Sequence, residues 1–258
     1  MHKILLDIGG TFIKCSDGRE IPINSAGTEE EITASLKEAA AQYDCIRAAV
    51  PGPFDYAAGQ FLMKHKFASV YGEYFQELVG VKDCRFLHDV NCMLLGEITS
   101  GNGKPYSRVA MIALGTGLGF AMSIDGEILK NRLGSPEVSI FNRPFRGGVL
   151  EDYASKRGVW RLYGDDSITV KEIALRAASG EQRALEAFAQ MGAIIGEVTA
   201  PIIKEYRIEC LLLGGQISRS SALFAPAIET EFFKAGIRTV ISPISDFDNA
   251  TFNGLAAL

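Results

Sequence analysis

Short apolar runs that end at glycine or at an acidic residue recur along the chain and predict β-strands. The predicted strands are Lys3–Asp7, Phe12–Ser16, Ile46–Val50, Arg85–His88, Val109–Leu114, Phe120–Ile124, Leu211–Leu213 and Thr239–Ile241. Stretches with helical periodicity alternate with them. The predicted helices are Thr28–Tyr43, Asn91–Thr99, Val149–Lys156, Val170–Ser179, Glu181–Glu205, Ser220–Ala235 and Asn249–Leu258. This alternation indicates an α/β architecture.

Local signals refine the pattern at a few positions. Thr28, with Glu31 three residues later, predicts a capping box at the start of the first helix, and Pro201 is a candidate kink in the longest one. The turn residues of 100–105 mark the only plausible seam. We therefore expect an N-terminal lobe over 1–105 and a C-terminal lobe over 106–258, with the final helix 249–258 free to pack back on the first lobe.

An internal similarity also suggests two related lobes. Residues 7–18 align without a gap to residues 115–126, so that Gly9 falls on Gly117 and Phe12 on Phe120. Each copy predicts a strand, a glycine turn, a second strand and an Asp-Gly hairpin turn. The alternative is a chance similarity between two glycine-rich hairpins.

Composition and charge narrow the classes of function. The 258 residues carry a net charge of −5 with both signs interspersed, which disfavours nucleic acid as a partner. The short basic cluster 64–66 is more typical of a solvated turn than of a binding site. No run approaches the roughly 18 apolar residues of a membrane span, and the N-terminus does not resemble a secretory signal. We expect a cytoplasmic protein without a membrane partner.

The first glycine turn has the chemistry of a phosphate cradle. Gly9 and Gly10 follow an apolar strand directly, and glycine lets backbone N–H groups approach phosphate oxygens. Thr11 adds a hydroxyl donor and Lys14 a positive charge. Asp7 would need a cation between itself and a phosphate, so it is a candidate to hold Mg²⁺ directly or through water.

Two further glycine turns suit a nucleotide. Gly115, Thr116 and Gly117 form the second cradle, and the strand-to-glycine transition at Gly214 and Gly215 suits close approach of a ring or ribose. The sequence lacks the G-x-x-x-x-G-K-[ST] string of a P-loop, and the spacing at 115–119 is not that of a dinucleotide fingerprint. Each cradle taken singly is equally well explained as an ordinary hairpin turn, and the string at Gly214 and Gly215 is by itself more typical of a simple β–α turn.

These turns, with several other segments, resemble the ROK family of bacterial sugar kinases within the actin-like ATPase superfamily. Residues 50–53 are similar to its V-P-G-P segment, and residues 88–91 (His-Asp-Val-Asn) to its Asn-Asp-Ala-Asn segment. Residues 254–257 (Gly-Leu-Ala-Ala) are similar to its C-terminal helix. The matches extend from Asp7 to Ala257.

The resemblance implies an α/β fold of two ribonuclease H-like lobes, duplicated and of βββαβα type, with ATP and sugar in the cleft between them. It also implies that Asp89 is the catalytic carboxylate. Chemistry agrees independently, because Asp89 lies at a predicted strand end, where α/β proteins place their sites. A hydroxyl that attacks phosphorus needs an acceptor for its proton, which a carboxylate provides. Without the resemblance, Asp89 would be interpreted as a helix N-cap.

The chain departs from the zinc motif that this family usually carries. Ile140 stands in place of its histidine. The three cysteine positions are occupied by Asn142, Pro144 and Val149. We therefore expect no zinc site. Pro144 and the packing of Ile140, Phe141 and Phe145 would hold the loop instead.

Four residues are candidates for contacting the sugar: Gly52, His88, Glu137 and Glu151. The two glutamates match sugar-binding glutamates of the family, and carboxylates accept hydrogen bonds from sugar hydroxyls. A solvated acidic face is the alternative for both. His88 replaces the Asn that usually precedes the base, and a satisfied core histidine is its alternative.

The leading hypothesis is a sugar kinase that uses ATP and Mg²⁺ to phosphorylate a hexose or an N-acylhexosamine, with Asp89 as the base. One alternative is a sugar- or nucleotide-sensing module that has lost phosphotransfer, suggested by the replaced zinc ligands and Asn. Another is a kinase of a different small hydroxyl compound, such as pantothenate. The expected partner is a small-molecule sugar, and we also consider a homodimer.

Overall fold

The computed structural model describes residues 2–258, which cluster into two compact units. The first unit contains the residues up to Thr99, the segment Ile128–Glu137 and the segment Asn249–Leu258. The second contains Ser100–Glu127 and Val138–Asp248. The expected division after residue 105 differs from these units, because the chain changes unit at Thr99 and Ile128–Glu137 returns to the first.

The elements alternate as the sequence predicts. In chain order the strands are β1 (Lys3–Ile8), β2 (Phe12–Cys15), β3 (Glu20–Pro22), β4 (Cys45–Val50), β5 (Phe54–Asp55), β6 (Gln60–Phe61), β7 (Asp83–His88), β8 (Arg108–Leu114), β9 (Leu118–Ile124), β10 (Glu127–Ile128), β11 (Pro144–Phe145), β12 (Gly148–Val149), β13 (Cys210–Gly214) and β14 (Val240–Pro243). The α-helices are α1 (Glu29–Ala40), α2 (Phe75–Val79), α3 (Asp89–Ser100), α4 (Lys156–Tyr163), α5 (Val170–Ala178), α6 (Gln182–Glu205), α7 (Ala225–Lys234) and α8 (Ala250–Ala256).

The first unit is built on a five-stranded sheet in the order β3-β2-β1-β4-β7. β1 pairs antiparallel with β2 and parallel with β4, and β4 pairs parallel with β7. Every residue of β4 is buried, as expected for a parallel strand covered on both faces. Five buried phenylalanines from β5 to β7 pack on one another beside this sheet and fix the chain between β4 and β7: Phe54, Phe61, Phe67, Phe75 and Phe86.

The second unit repeats this arrangement in a sheet of order β10-β9-β8-β13-β14. β8 pairs antiparallel with β9 and parallel with β13, which pairs parallel with β14. The predicted duplication is therefore confirmed at the level of topology. The gapless alignment through the hairpins is wrong, because the pair Ile8–Ile13 encloses residues 9–12 whereas the pair Leu114–Leu118 encloses only residues 115–117.

The start of the first helix is predicted correctly from its capping residues. Thr28 and Glu31 form the predicted capping box, in which Glu31 N donates to Thr28 Oγ1 and Thr28 N to Glu31 Oε2. The 24-residue α6 continues through Pro201 as one helix. None of the helices between residues 2 and 258 has the length and hydropathy that a bilayer crossing needs.

Two predicted helices have the wrong extent. The helix expected over 149–156 is instead β12, a 3₁₀ turn over Leu150–Asp152, and α4, which begins only at Lys156. The cause is a hairpin in which Arg146 and Gly147 both adopt positive φ and bring β11 against β12. The helix expected over 220–235 divides into 3₁₀ turns up to Leu223 and α7, where Pro226 lies in the first turn, a position that favours a helix start.

The last helix, α8, crosses α3 so closely that the backbones of the two helices are in contact. A Cβ added to Gly254 would overlap the carbonyl of Cys92, and one added to Gly96 would lie 2.9 Å from Gly254 N. We expect Gly254→Ala to lower the free energy of unfolding by about 1–3 kcal/mol through overpacking. Urea unfolding measures this change. Ala256→Ser, at an exposed position of the same helix, is the control, and equal stability of the two variants would contradict the close crossing.

Candidate active site

The parallel strands of the first unit bring three chain segments to one edge of the sheet. Asp7 in β1 lies beside Ala49 in β4, which lies beside Leu87 in β7. The residues that follow these positions therefore meet at the carboxyl ends of neighbouring strands, the usual place for a site in an α/β sheet. They include the turn after Asp7, Gly52 after β4, and Asp89 after β7.

The turn after β1 is closed by its own backbone. Gly9 N donates to Phe12 O at 2.9 Å. A Cβ at Gly9 would lie 2.9 Å from that same oxygen, so the turn excludes a side chain there. Lys14 lies directly across the strand pair from Asp7, which places its positive charge beside the carboxylate. Of the residues predicted for the first cradle, Asp7, Gly9, Gly10, Thr11 and Lys14 thus share one hairpin.

Asp89 opens α3 and presents a carboxylate to solvent. Its side chain is 51% exposed, and its Oδ1 lies 2.7 Å from His88 Nδ1. Oδ1 also accepts a hydrogen bond of 2.6 Å from Val90 N, which is the helix-start contact anticipated by the alternative interpretation. Within residues 2–258 no partner of Oδ2 is seen, so one oxygen remains available to a substrate hydroxyl.

The charges around Asp89 favour its ionised form. Burial would raise the pKa of this carboxyl, but the charge of His88, the contacts from His88 and Val90 N, and the charge of Lys66 together hold the pKa below its ordinary value. A carboxylate in this state is ready to accept a proton. The geometry is therefore compatible with a general base.

Asp7 has the opposite electrostatic environment. Burial is the main cause that raises its pKa from 3.8 to about 6, and the neighbouring Asp89 raises it further while Lys14 lowers it. Two carboxylates close enough to influence each other, one of them costly to ionise, form a place where a cation would be stabilised.

The aromatic and imidazole rings beside the base are closely packed. Tyr56 donates through its hydroxyl to Val50 O at 2.7 Å, and its ring centroid lies 6.0 Å from that of His88. A Cβ at Gly52 would lie 3.4 Å from His88 Cδ2. The structure thus places Gly52 and His88, two predicted sugar contacts, against each other and next to Asp89.

Glu137 reaches the first unit through the returning segment Ile128–Glu137. Tyr56 N donates to Leu133 O at 2.9 Å, and Asn91 Nδ2 donates to Gly134 O at 3.2 Å. Glu137 is exposed at the end of this anchored segment. The sequence did not predict that the segment belongs with the first unit, since its anchors are backbone carbonyls that leave no side-chain signal.

In the second unit the two remaining glycine turns lie together. Gly115 follows β8 and Gly214 ends β13, which is paired with β8 up to Ala113. Gly215 has φ of +79°, and a Cβ there would collide with the backbone of Leu114. The turn at Gly215 therefore packs directly against the residue that precedes Gly115, which groups Gly115, Thr116, Gly117, Gly214 and Gly215 at one edge.

Gly115 offers a clean test of close ligand approach. A Cβ at Gly115 would meet no protein atom within 4 Å, so Gly115→Ala should leave the melting temperature unchanged. If the backbone contacts phosphates, the added methyl should weaken ATP binding roughly tenfold or more. Calorimetric titration with ATP and Mg²⁺ measures this. The control is Ser123→Ala, at a buried position within β9, because Gly126 has φ of +83° and its replacement would be strained. Unchanged affinity in Gly115→Ala would exclude Gly115 from the cradle.

Glu151 supports the second cradle in this structure. Its Oε2 accepts a hydrogen bond of 3.0 Å from Leu118 N, and its Oε1 accepts one of 2.7 Å from Arg157. A Cβ at Gly117 would lie 2.8 Å from Oε2. The predicted sugar contact thus lies against the glycine turn, and its partner Arg157 is a residue that sequence analysis missed.

The loop that replaces the zinc motif is held by packing and hydrogen bonds. Ile140 is buried, and the ring of Phe145 packs on Tyr153 at 5.1 Å between centroids. Tyr153 also donates through its hydroxyl to Arg146 O at 3.0 Å. The expectation that Phe141 packs inside is wrong, because its side chain is exposed. Within residues 2–258 no group of three or more His, Cys, Asp or Glu side chains is placed to hold a metal ion.

One residue dismissed as part of a solvated turn lies at the site. A Cβ at Gly10 would be 4.0 Å from Lys66 Nζ, and the charge of Lys66 lowers the pKa of Asp89. Lys66 is 56 positions from Gly10 in the sequence, and no local pattern links the two.

Comparison with known proteins gives a family match. The family model described as the ROK family matches residues 72–258. An uncharacterised protein from Clostridium perfringens is 26% identical over 92% of this chain and 88% of that protein. An N-acetylgalactosamine kinase from Shewanella is 27% identical over 64% of this chain, and the match spans 60% of the kinase.

Solved structures share the fold over nearly the whole chain. A ROK family glucokinase from Streptomyces griseus in complex with glucose and AMPPNP has a TM-score of 0.79 at 21% identity, covering 99% of this chain and 98% of the other. A ROK family transcriptional regulator homologous to the E. coli MLC protein has a TM-score of 0.80 at 19% identity, covering 99% and 77%. The expected α/β fold with two related lobes is therefore confirmed.

Proposed function

Because the chain belongs to the ROK family, we propose that it transfers the terminal phosphoryl group of ATP to a small sugar. The substrate is a hexose or an N-acylhexosamine, phosphorylated at a primary hydroxyl. The observation that carries this proposal is the half-exposed carboxylate of Asp89, held ionised at the strand edge that also bears Asp7 and the turn at Gly9.

In this proposal Asp89 accepts the proton of the sugar hydroxyl as the hydroxyl oxygen attacks the terminal phosphorus. The low pKa of the carboxyl keeps it in the basic form at neutral pH. Positioning counts for more than basicity here, since phosphoryl transfer passes through a loose transition state. The charge of His88, whose Nδ1 lies 2.7 Å from Oδ1, helps to hold the carboxyl in this basic form.

The residues present fit a Mg²⁺ ion. Mg²⁺ is usually bound by one or two carboxylates, with phosphates and waters completing its coordination, and Asp7 supplies one such carboxylate, with the negative charge of Asp89 nearby. When bound, the ion would offset the charge of the phosphates. Lys14, directly across the strand pair from Asp7, would supply a further positive charge beside them.

We assign the nucleotide to the glycine turns. Gly10 and Thr11 in the first unit would donate backbone and hydroxyl hydrogen bonds to phosphate oxygens, and Gly9, whose N–H closes the turn, would let the phosphates approach its backbone. In the second unit Thr116 and Gly117 would donate in the same way, and Gly115, whose N–H donates to Gly117 O, would allow the same close approach. Gly214 and Gly215 would lie against the adenosine. The AMPPNP bound by the Streptomyces griseus glucokinase supports ATP as the donor.

We assign the sugar to Gly52, His88, Glu137 and Glu151. A sugar hydroxyl at Glu151 would have to share the carboxylate with Leu118 N and Arg157. The kinase relative that acts on N-acetylgalactosamine supports including acylated amino sugars. His88, in place of the family's Asn, changes the hydrogen-bonding group offered to the sugar and makes an altered substrate preference the expected outcome.

The test is a screen of hexoses and N-acetylhexosamines for sugar-dependent release of ADP in the presence of ATP and Mg²⁺. We expect one or a few sugars to stimulate ADP release well above the sugar-free rate. Thermal shifts with the same sugars measure binding independently. Absence of stimulated release across the screen, together with sugar binding, would overturn the kinase assignment.

That outcome would favour a second candidate, a sugar-sensing module. The observation behind it is the replacement of both the Asn and the zinc ligands, together with the fold shared with a ROK family transcriptional regulator. A sensor would bind sugar without releasing ADP. Retention of Asp7, Asp89 and the glycine turns favours the kinase.

A further inference from the structure

We propose that Lys66 is a phosphate-binding residue that contacts the phosphoryl group during its transfer. The inference rests on the proposed kinase function and adds a residue that neither the motifs nor the family resemblance assigned. Its basis is the position of the Lys66 ammonium over the Gly9–Thr11 turn, on the same sheet edge as Asp89.

The main chain fixes Lys66 in this position. Ser25 N donates to Gly10 O at 3.1 Å, and Phe67 N donates to Ser25 O at 2.6 Å. Ser25 therefore joins the glycine turn to the residue that follows Lys66. Phe67 is fully buried and packs on Phe61 at 5.7 Å between ring centroids, so this backbone is anchored by the core.

The side chain then extends over the turn. A Cβ at Gly10 would lie 3.2 Å from Ser25 Oγ and 4.0 Å from Lys66 Nζ. Among residues 2–258 no carboxylate lies within ion-pair distance of Nζ, although Asp89 is close enough for Lys66 to lower its pKa. An exposed ammonium beside a turn of backbone N–H groups is a suitable partner for a phosphoryl oxygen.

Phosphoryl transfer is favoured by a positive charge beside the phosphoryl group that is being transferred. As the sugar oxygen forms its bond to phosphorus, the proton of the hydroxyl passes to Asp89 and the bond from phosphorus to the bridging oxygen of ADP breaks. Negative charge is spread over the three equatorial oxygens of the group in transit. Lys66 gives and takes no proton in this step, and its three N–H donors stabilise those oxygens.

The same segment supplies a matched control. Lys64 is two residues away and carries the same charge, but its Nζ lies 5.4 Å from the ring centroid of Tyr71. Lys64→Gln therefore removes one positive charge from the segment without removing the ammonium over the turn.

The experiment compares Lys66→Gln, Lys66→Arg and Lys64→Gln in two measurements. With the best sugar from the screen, Lys66→Gln should lower kcat by about 100-fold or more with the KM for sugar little changed. Lys66→Arg should recover part of that loss, and Lys64→Gln should match the wild type. Equal kcat for Lys66→Gln and Lys64→Gln, or a loss confined to the KM for sugar, would overturn the proposal.

The second measurement is binding of ADP and of the non-hydrolysable analogue AMPPNP, each with Mg²⁺, by calorimetry. Lys66→Gln should lose roughly tenfold or more in affinity for AMPPNP while its affinity for ADP stays within about twofold. Equal losses for both nucleotides would overturn the assignment to the terminal phosphate. Because this comparison needs no sugar, it tests Lys66 even if the screen shows that the wild-type protein does not phosphorylate one.

Discussion

Asp89→Asn is expected to lower the turnover of sugar phosphorylation by about 10²–10⁴-fold, the usual contribution of a positioned general base. Asn keeps the size of the side chain and its place beside His88, but it cannot accept the proton. Affinity for ATP should change little, because the nucleotide is assigned to the glycine turns. The measurement is single-turnover phosphorylation with the best sugar from the screen, together with calorimetric titration of ATP.

The matched control is Asp83→Asn at the other end of β7. Asp83 pairs with Arg47 at 2.8 Å, and its side chain is 36% exposed. Because Arg47 is buried, loss of the Asp83 charge should lower the free energy of unfolding, but it should leave the turnover of the folded protein unchanged. Near-normal turnover in Asp89→Asn would show that another group accepts the proton, and loss of ATP binding in that variant would show that Asp89 acts through the nucleotide.

Asp7→Asn is expected to abolish Mg²⁺-dependent turnover and, at the same time, to stabilise the Mg²⁺-free protein. The pKa of Asp7 is raised from the ordinary value of 3.8 to about 6 in the folded protein. A raised carboxyl pKa means that the folded state binds the proton more tightly, so its contribution to stability is fully present below pH 4 and is lost as pH rises through 6.

The difference between a pKa of about 6 and the ordinary value of 3.8 corresponds to roughly 3 kcal/mol at most. Asp7→Asn should therefore raise the free energy of unfolding by about 1–3 kcal/mol at pH 8 and by much less at pH 4.5. Urea unfolding at the two pH values, without Mg²⁺, measures this. The variant would then be more stable but inactive, which means that the wild-type protein keeps a destabilising carboxylate at Asp7 because its function requires it.

Asp17→Asn, in the turn between β2 and β3, is a control for which the expected change in stability at pH 8 has the opposite sign. Slight burial would raise the pKa of Asp17, but hydrogen bonds from Arg19 and Tyr43 hold it below the ordinary value. Its charge contributes stability above the unfolded pKa, so Asp17→Asn should destabilise at pH 8. If Asp7→Asn also lowered the free energy of unfolding at pH 8, ionised Asp7 would not be unfavourable in the folded protein, and its raised pKa would be contradicted.

The elements that sequence analysis located well are those with a local signal. Strand ends at Asp7 and His88 are marked by the change from apolar residues to glycine or acid, and the capping box at Thr28 needs only four residues. Because parallel strands align their carboxyl ends, the predicted strand ends at Asp7 and Asp89 agree with the one sheet edge at which β1, β4 and β7 end.

What the sequence could not give depends on contacts between distant residues. Lys66 reaches Gly10 only because Ser25 bonds to both segments, and its neighbours in sequence are those of an ordinary polar turn. The helix predicted to begin at Val149 failed for a related reason. The pairing of β11 with β12 uses backbone groups that helical periodicity would assign to a helix.

The same dependence on distant residues governs the order in which the first unit can form. Its sheet is made from the first third of the chain, but α8 packs on β1 and β4, and the crossing at Gly254 leaves no space for a substitute. A ribosome that has produced only the first 99 residues therefore holds a sheet whose surface beneath α8 is still uncovered. That surface stays open until the last ten residues emerge, so nascent chains of this protein are expected to depend on chaperones through most of translation.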